Sequence, residues 1–299
     1  MQKTGNYPIV IFMPFFNLLC GILLIDFISI HIKKDDFYKI VDFLFFSIVG
    51  VLIYCVLQRF NLDQFYKSAN PAFPNRDEMV GVIGNTMHNS HYLAMTLPLL
   101  FKNKLLTLLG LGIICLTGSS SGILIALILI VFYSCFKRIF TLRESILLAI
   151  LGVLFIVWKF PNVQNLLSSS GRFELWKHLF PIFSSRPITG SGLGTINAIS
   201  KSREFIGWRH THLEMYHYAI ELGLIGLGII LWGIKDVVSR FIKSDKDVLD
   251  ITMFSVFLGF FISSMFGYPS HLWLLASVGI VSYSYFYITE VKIADFKGN

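Results

Sequence analysis

Ionisable side chains gather at the start of a long apolar run in the last third of the chain, 207-GWRHTHLEMYHYAIELGLIGLGII-230. Three basic side chains precede the run, and three further ionisable side chains lie inside it at i, i+3 and i+7, on one face of a helix: Arg209, His210 and His212, then Glu214, His217 and Glu221. A histidine can take a proton from a hydroxyl nucleophile, and buried carboxyl and histidine groups can relay protons. A His-x-His pair could also bind a metal, but no Cys or Asp lies nearby to complete a ligand set. Because ionisable groups at membrane depth are costly unless they face a cavity or a partner, the stretch predicts a functional site.

A second cationic position lies upstream in 168-SSSGRFELWKHLFPIFSSRPITGSGLGTINAIS-200. Apolar side chains recur at helical spacing after the three serines, which predicts an amphipathic helix over about 171–184, lying on the membrane surface. Arg172 falls at the start of this helix, where free N–H groups and the helix dipole favour an anion, and its guanidinium could bind a phosphate through two parallel bonds. The alternative is that Arg172 extends to lipid headgroups.

Three closely spaced glycines follow, at Gly190, Gly192 and Gly194. A turn without Cβ atoms allows backbone N–H groups to approach an anionic group. The spacing is not that of a dinucleotide-binding fingerprint, so an anion site and a plain flexible turn both stay open.

The remainder of the chain must hold these residues in a membrane. Of 299 residues, 55% are hydrophobic and 14% are charged, and the mean hydropathy is +0.67, which excludes a soluble domain. A helix needs roughly 20 residues to cross the hydrocarbon core, and we predict an all-α polytopic bundle over residues 1–299 as a single membrane domain. About nine spans are expected (the uncertainty allows about 8 to 11), the first being a retained span rather than a removed leader: 8–30, 41–58, 88–101, 105–118, 121–136, 144–160, 212–234, 249–266 and 270–289. The third and fourth spans are short and could instead form a re-entrant hairpin.

The distribution of Lys and Arg predicts the orientation. With the amino terminus outside, twelve positive charges fall in cytoplasmic loops and none in the short outer loops: Lys33, Lys34, Lys39, Lys102, Lys104, Lys137, Arg138, Arg143, Lys235, Arg240, Lys243 and Lys246. Two longer segments, 59–87 and 161–211, then lie outside, the second being a large periplasmic loop between spans six and seven. The net charge of +7 fits basic loops held against anionic lipid rather than a nucleic-acid partner. The four cysteines lie inside apolar runs and are interpreted as small buried hydrophobic residues.

A polar cluster enters the third span on the same predicted side, in 84-GNTMHNSHYLAMTLPLL-100, with Asn85, His88, Asn89 and His91. Its shared side with Arg172 and His212 favours one extracytoplasmic pocket.

The ordered motifs resemble the O-antigen ligase family, which includes O-antigen polymerases and protein-O-oligosaccharyltransferases. They are, in chain order, Gly171, Arg172 and Trp176; Pro187, Gly190, Gly192 and Gly194; and Thr211, His212, Glu214, Glu221, Gly223 and Gly226. Gly84, Asn89 and Ala94 resemble the upstream pattern of the family. The resemblance covers about residues 80–230.

The resemblance implies a metal-independent, inverting glycosyltransferase of the bacterial inner membrane, with no cofactor and a periplasmic active site. It would transfer a glycan from undecaprenyl diphosphate to a hydroxyl of the lipid A core, or of another lipid-linked glycan in a polymerase. His212 would be the catalytic base and Arg172 a diphosphate contact. The substrate-binding set would be Arg209, Arg186, His210, Gly190, Gly192, Gly194, Asn89, Glu214 and Glu221.

The chain departs from the family pattern in three ways. The family has about twelve spans, so part of the bundle that precedes these nine would be absent. Leu213 stands where the family has an asparagine after the histidine, and Ser121 stands where many relatives have an arginine. A second phosphate contact would then come from Arg209 or Arg186. A different class stays open as well, an ion-coupled transporter that uses Glu214, His217 and Glu221 as a relay.

Overall fold

Helices make up all the regular structure that is described. The computed structural model describes residues 7–63, 79–136, 141–159, 172–200 and 211–296. Within these ranges there is no strand, which confirms the predicted all-α class. The α-helices are α1 (Tyr7–His31), α2 (Lys34–Arg59), α3 (Thr86–Thr96), α4 (Lys104–Thr117), α5 (Ser120–Phe136), α6 (Leu142–Lys159), α7 (Arg172–Ser185), α8 (Thr195–Ser200), α9 (Glu214–Lys243), α10 (Val248–Phe266) and α11 (Trp273–Phe296). Short 3₁₀ turns lie at Gly81–Ile83, Leu97–Leu100 and Pro269–His271.

Several helices are apolar enough for a membrane. By length and composition, three described helices could cross one: Asp36–Arg59 in α2, Glu214–Lys243 and Val248–Phe266. Four further apolar helices are shorter: Phe16–His31, Lys104–Thr117, Ser120–Phe136 and Trp273–Ile288. Each predicted span falls on a helical part of the structure, whereas the number of about nine crossings and the periplasmic side of the large loop stay predictions.

The short helix α3 lies at the centre of the bundle. Every residue of it from His88 to Thr96 is buried, and it packs between α5 and α10. Small residues allow this close approach: a Cβ on Gly259 would lie 2.8 Å from the Met95 Cα, and Gly122 of α5 lies against Ser90. The fold therefore buries the polar N-terminal part of α3 among other helices.

Hydrogen bonds between loops distinguish the two ends of the bundle. At one end, Lys34 at the start of α2 donates to Asp247 at the start of α10, over 3.1 Å. At the other end, the first turn of α3 reaches both the α4–α5 junction and the α10–α11 loop, through the pairs described below. Lys33, Lys34 and Lys246, three of the twelve charges assigned to the cytoplasmic side, lie at the first end, whereas the orientation itself stays a prediction.

Helix α9 is broken where it would otherwise cross the bundle. Gly223 has φ 69° and ψ −170°, a conformation that is essentially restricted to glycine. The glycine turn, which we define as residues 186–194, docks into the break and pairs with the freed backbone groups: Ser191 N to Ile220 O (2.9 Å), Gly192 N to Glu221 O (2.9 Å), Leu224 N to Pro187 O (2.8 Å) and Ile225 N to Ile188 O (3.2 Å). An interrupted helix is tolerated in an apolar bundle when other backbone groups satisfy the broken bonds in this way.

Candidate active site

Helix α7 forms where the sequence predicts it, and it packs onto the beginning of α9. Leu175 and Leu179 of α7 are buried with Ile220 of α9 in a small apolar cluster. The indole N–H of Trp176 donates to the Thr211 carbonyl (2.8 Å), and the Tyr216 hydroxyl donates to the Trp176 carbonyl (3.0 Å). These contacts fix the first turn of α7 beside the segment that contains His212.

Arg172 begins α7 and is half-buried without an acidic partner among the described residues. Its Nη2 lies 4.0 Å from the Met87 sulfur, and its buried Nε has no hydrogen-bond partner in the described part of the chain. Burial lowers the pKa of the guanidinium from its ordinary value, which still leaves it charged at neutral pH. A desolvated cation without a counter-charge is costly, so the position favours an anionic ligand.

His212 lies close enough to Arg172 for the two groups to interact electrostatically. Burial is the main cause that lowers the pKa of His212 to about 4, and the neighbouring Arg172 and His88 lower it further. Its imidazole is therefore neutral at physiological pH and can accept a proton. Its backbone has φ 56°, which is uncommon for a residue with a side chain.

The start of α3 supplies two further histidines, His88 and His91. With His212 and Tyr268 they form what we call the histidine cluster. Asn85 is the N-cap and accepts hydrogen bonds from the N–H groups of the first turn. The hydroxyl of Tyr268 lies 2.9 Å from His88 Nε2, and the hydroxyl of Ser121 lies 2.7 Å from His91 Nε2. Ser121 of α5 is therefore a neighbour of the site through His91.

A second, more buried network begins two residues after His212. Glu214 is 2% exposed, and its carboxylate accepts hydrogen bonds from the N–H (3.0 Å) and the hydroxyl of Ser270. The hydroxyl of Tyr218 also contacts Ser270, and His271 Nε2 lies 4.0 Å from the Glu214 carboxylate. Glu214 thus ties the beginning of α9 to the loop between α10 and α11.

The anionic group that contacts the glycine turn is a side chain of the protein, the Glu221 carboxylate. The backbone N–H groups of Gly194 and Ile196 (3.2 Å) donate to the Glu221 carboxylate, whose Oε1 also lies 3.3 Å from His217 Nε2. The N–H groups of Gly190 and Gly192 donate to backbone carbonyls. All three glycine N–H groups therefore donate within the protein, one to the Glu221 carboxylate and two to backbone carbonyls.

A cavity of about 340 Å³ lies next to these networks. Its walls are mainly apolar side chains of α1, α10 and α11, together with Leu193 of the glycine turn. Tyr218, Ser270 and His271 form its polar end, and Asn17 of α1 adds an amide oxygen that has no partner among the described residues. Among the described residues, no group of three or more His, Cys, Asp or Glu side chains is arranged to hold a metal ion.

The structure brings together only part of the predicted set of site residues. Arg172, His212 and Glu214 lie in or beside the histidine cluster, and Glu221 contacts the glycine turn and the start of α8. Arg186 is exposed at the far end of α7, and a 14-residue helix places it about 20 Å from Arg172. Arg209 and His210 lie outside the described residues, as do Gly171 and the three predicted serine caps.

Asn89 is fully buried and bonds to groups other than those of the site. Its amide donates to the Met79 carbonyl (3.1 Å) and contacts the Cys55 sulfur (3.2 Å), and its oxygen lies against Gly81. These contacts give Asn89 a packing role between α2 and α3 in the structure.

Sequence reasoning missed Tyr268, Ser270 and His271. They lie in 267-GYPSHLW-273, a short stretch without Lys or Arg at the junction of the last two predicted spans. A histidine at the predicted outer end of a span was the available signal.

Comparison with known families agrees with the motifs. Residues 105–231 match the family described as O-antigen ligase, and the matched range contains Arg172, the three glycines and His212 but not Asn89. The match confirms the resemblance identified in the sequence. Neither a curated protein nor a solved structure gives a significant match to the chain.

Proposed function

We propose that this chain, which matches the O-antigen ligase family, is an inner-membrane glycosyltransferase that moves a glycan from undecaprenyl diphosphate to a hydroxyl of the lipid A core. The observation that carries the proposal is the half-buried Arg172, without an acidic partner among the described residues, beside a neutral His212. One group suits a departing diphosphate, and the other suits a hydroxyl that must lose its proton.

The reaction requires one bond to form and one to break. The acceptor oxygen attacks the anomeric carbon, and its proton passes to the imidazole of His212. The bond between that carbon and the diphosphate oxygen breaks, and the diphosphate leaves with the electron pair. Attack on the face opposite the leaving group inverts the anomeric centre.

Each group has a separate contribution. A positioned general base contributes typically about 10² to 10⁴ in rate. The fixed positive charge of Arg172 stabilises the charge that develops on the leaving diphosphate in a desolvated site, and we propose that this charge serves in place of a metal. The described neighbours of Arg172 include no carboxylate that would compete with the diphosphate.

The cavity suits the lipid portion of the donor. Its walls are apolar along α1, α10 and α11, and its polar end lies at His271, whose ring centroid is 6.4 Å from that of Tyr268 in the histidine cluster. We place the isoprenoid chain next to the diphosphate in this cavity, with the active site at the periplasmic face.

The test is transfer by purified protein, with lipid-linked glycan as donor and core oligosaccharide as acceptor. We expect His212→Ala and Arg172→Ala to reduce transfer at least about 10²-fold. The matched controls, His178→Ala and Arg143→Ala, change exposed residues and should leave transfer unchanged. Full transfer by both site variants, as folded as the wild type, would remove the catalytic assignment.

A deletion strain distinguishes ligation from repeat-unit polymerisation, the alternative reaction that the resemblance implies. Loss of all capped lipid A, with accumulation of lipid-linked polymer, indicates ligation. A single repeat unit that still reaches the core indicates polymerisation. An ion-coupled transporter would instead lose uptake in Glu221→Gln and tolerate His212→Ala.

A further inference from the structure

Tyr268 occupies a place that no motif predicted, between two histidines of the cluster. Its hydroxyl lies 2.9 Å from His88 Nε2, and the two rings are 4.6 Å apart between centroids. On its other side, the ring meets that of His212 edge to face, with centroids 5.3 Å apart and an interplanar angle of 73°. This is the geometry that aromatic pairs prefer.

His212 requires such support because of its backbone. A residue with a side chain at φ 56° is held in a sparsely populated conformation, and it persists only when its surroundings determine it. A general base must also point at the hydroxyl that it deprotonates, since small displacements reduce the rate strongly.

The loop that contains Tyr268 is fixed to the same segment as His212. The Glu214 carboxylate, two residues after His212, accepts hydrogen bonds from Ser270, two residues after Tyr268. Gly267 N also donates to the Ser263 carbonyl (2.9 Å), which ends α10 immediately before Tyr268. These bonds set the distance between the two rings independently of any substrate.

We infer that Tyr268 is a positioning residue, whose ring holds the imidazole of His212 in its reactive orientation while His88 fixes the Tyr268 hydroxyl. The inference rests on the function proposed above, in which His212 is the base. Tyr268 acts through His212 and is not assigned a contact with the substrate.

The experiment is a double-mutant cycle on glycan transfer by the purified full-length protein. Tyr268→Ala should reduce kcat about 10²-fold, the size of effect expected from a misplaced group, with the donor KM changed by less than about threefold. Tyr268→Phe keeps the ring but loses the bond to His88, so we expect a smaller loss of about 3-fold to 10-fold. In a His212→Ala background, Tyr268→Ala should cost nothing more, because the group through which it acts is already absent.

A merely structural role would give a different result, namely the same fractional loss from Tyr268→Ala in both backgrounds. That result, or full kcat in Tyr268→Ala, would overturn the inference. Tyr38→Ala, at an exposed tyrosine of α2, serves as the matched control, and gel filtration reports whether each variant is folded. If His212→Ala itself keeps full transfer, the proposed function fails, whereas an inactive His212→Ala beside a fully active Tyr268→Ala rejects only the positioning role.

Discussion

The break in α9 at Gly223 makes a quantitative prediction for Gly223→Ala. A Cβ at this position would lie 2.3 Å from the Ile188 oxygen and 2.5 Å from the Gly190 nitrogen, closer than such atoms can approach. The backbone conformation alone costs about 1 to 3 kcal/mol for a residue other than glycine. The glycine turn would have to move away, which puts four backbone hydrogen bonds at risk, each with a net value of about 0.5 to 1.5 kcal/mol.

If all four bonds are lost, we expect Gly223→Ala to lower the free energy of unfolding by about 3 to 9 kcal/mol. The measurement is thermal unfolding of the detergent-solubilised protein, where the corresponding decrease in Tm is on the order of 10 °C. Gly228→Ala is the matched control on the same helix, because a Cβ there meets nothing within 4 Å. Alanine in an ordinary helical position should stabilise by about 0.5 to 1 kcal/mol.

The Tm values of the two variants show whether docking of the glycine turn stabilises the broken helix. If Gly223→Ala unfolds within a degree or two of Gly228→Ala, the docked turn is not what stabilises the broken helix. A failure of Gly223→Ala to fold, with normal yield of Gly228→Ala, agrees with the prediction.

The site leads to three further predictions. The pKa of His212 is lowered to about 4 in the enzyme without substrate, so the acid limb of kcat/KM should fall near pH 4 and not near 6.5. The rate is measured from pH 3.5 to 8 on protein verified to be folded, and a limb at 6.5 that is unchanged in Arg172→Ala would contradict the assignment of His212 as base. The same lowered pKa means that the unfolded chain takes up the proton first as the pH decreases from 6.5 towards 4, so His212 should contribute a loss of stability over that window that His212→Ala lacks in pH-dependent melting. Glu221→Gln replaces the carboxylate that holds the glycine turn, and it should lower the free energy of unfolding by about 1 to 3 kcal/mol in the same melting assay, whereas Glu174→Gln, at an exposed position of α7, should not.

The sequence was sufficient to predict the helices and the position of Arg172 at the start of α7. Apolar runs mark the spans because a helix in lipid must be apolar along its length. The spacing of Phe173, Trp176, Phe180 and Phe183 predicts α7, and that helix begins at Arg172 in the structure. Local periodicity contains this information, so no knowledge of tertiary contacts was needed.

The break and the true partner of the glycine turn could not be predicted in the same way. The run 221-ELGLIGLG-228 contains three glycines with similar local surroundings, and only docking of residues 186–194 distinguishes Gly223. The sequence left an anion site and a flexible turn both open, and the carboxylate that the turn binds in the structure comes from Glu221, which depends on tertiary packing. Tyr268 was missed because an uncharged residue in a short loop has no distinguishing pattern.

The two carboxylates of α9 have complementary roles in the arrangement of the site. Glu221 binds the glycine turn before the break. After the break, the N–H groups of Leu224 and Ile225 donate to carbonyls of the same turn. Glu214 binds the α10–α11 loop at Ser270, one turn from His212. The α10–α11 loop and the glycine turn are both attached to the first ten residues of α9, so the segment before Gly223 is held on two sides. The remainder of the helix is mainly apolar. A buried carboxylate is costly unless it is hydrogen-bonded. Glu214 accepts from the N–H and hydroxyl of Ser270, and Glu221 accepts from the N–H groups of Gly194 and Ile196. These bonds explain how the two buried acidic side chains are compatible with an apolar bundle, and in the proposed mechanism they hold the segment of His212 and the neighbouring helix of Arg172 in place.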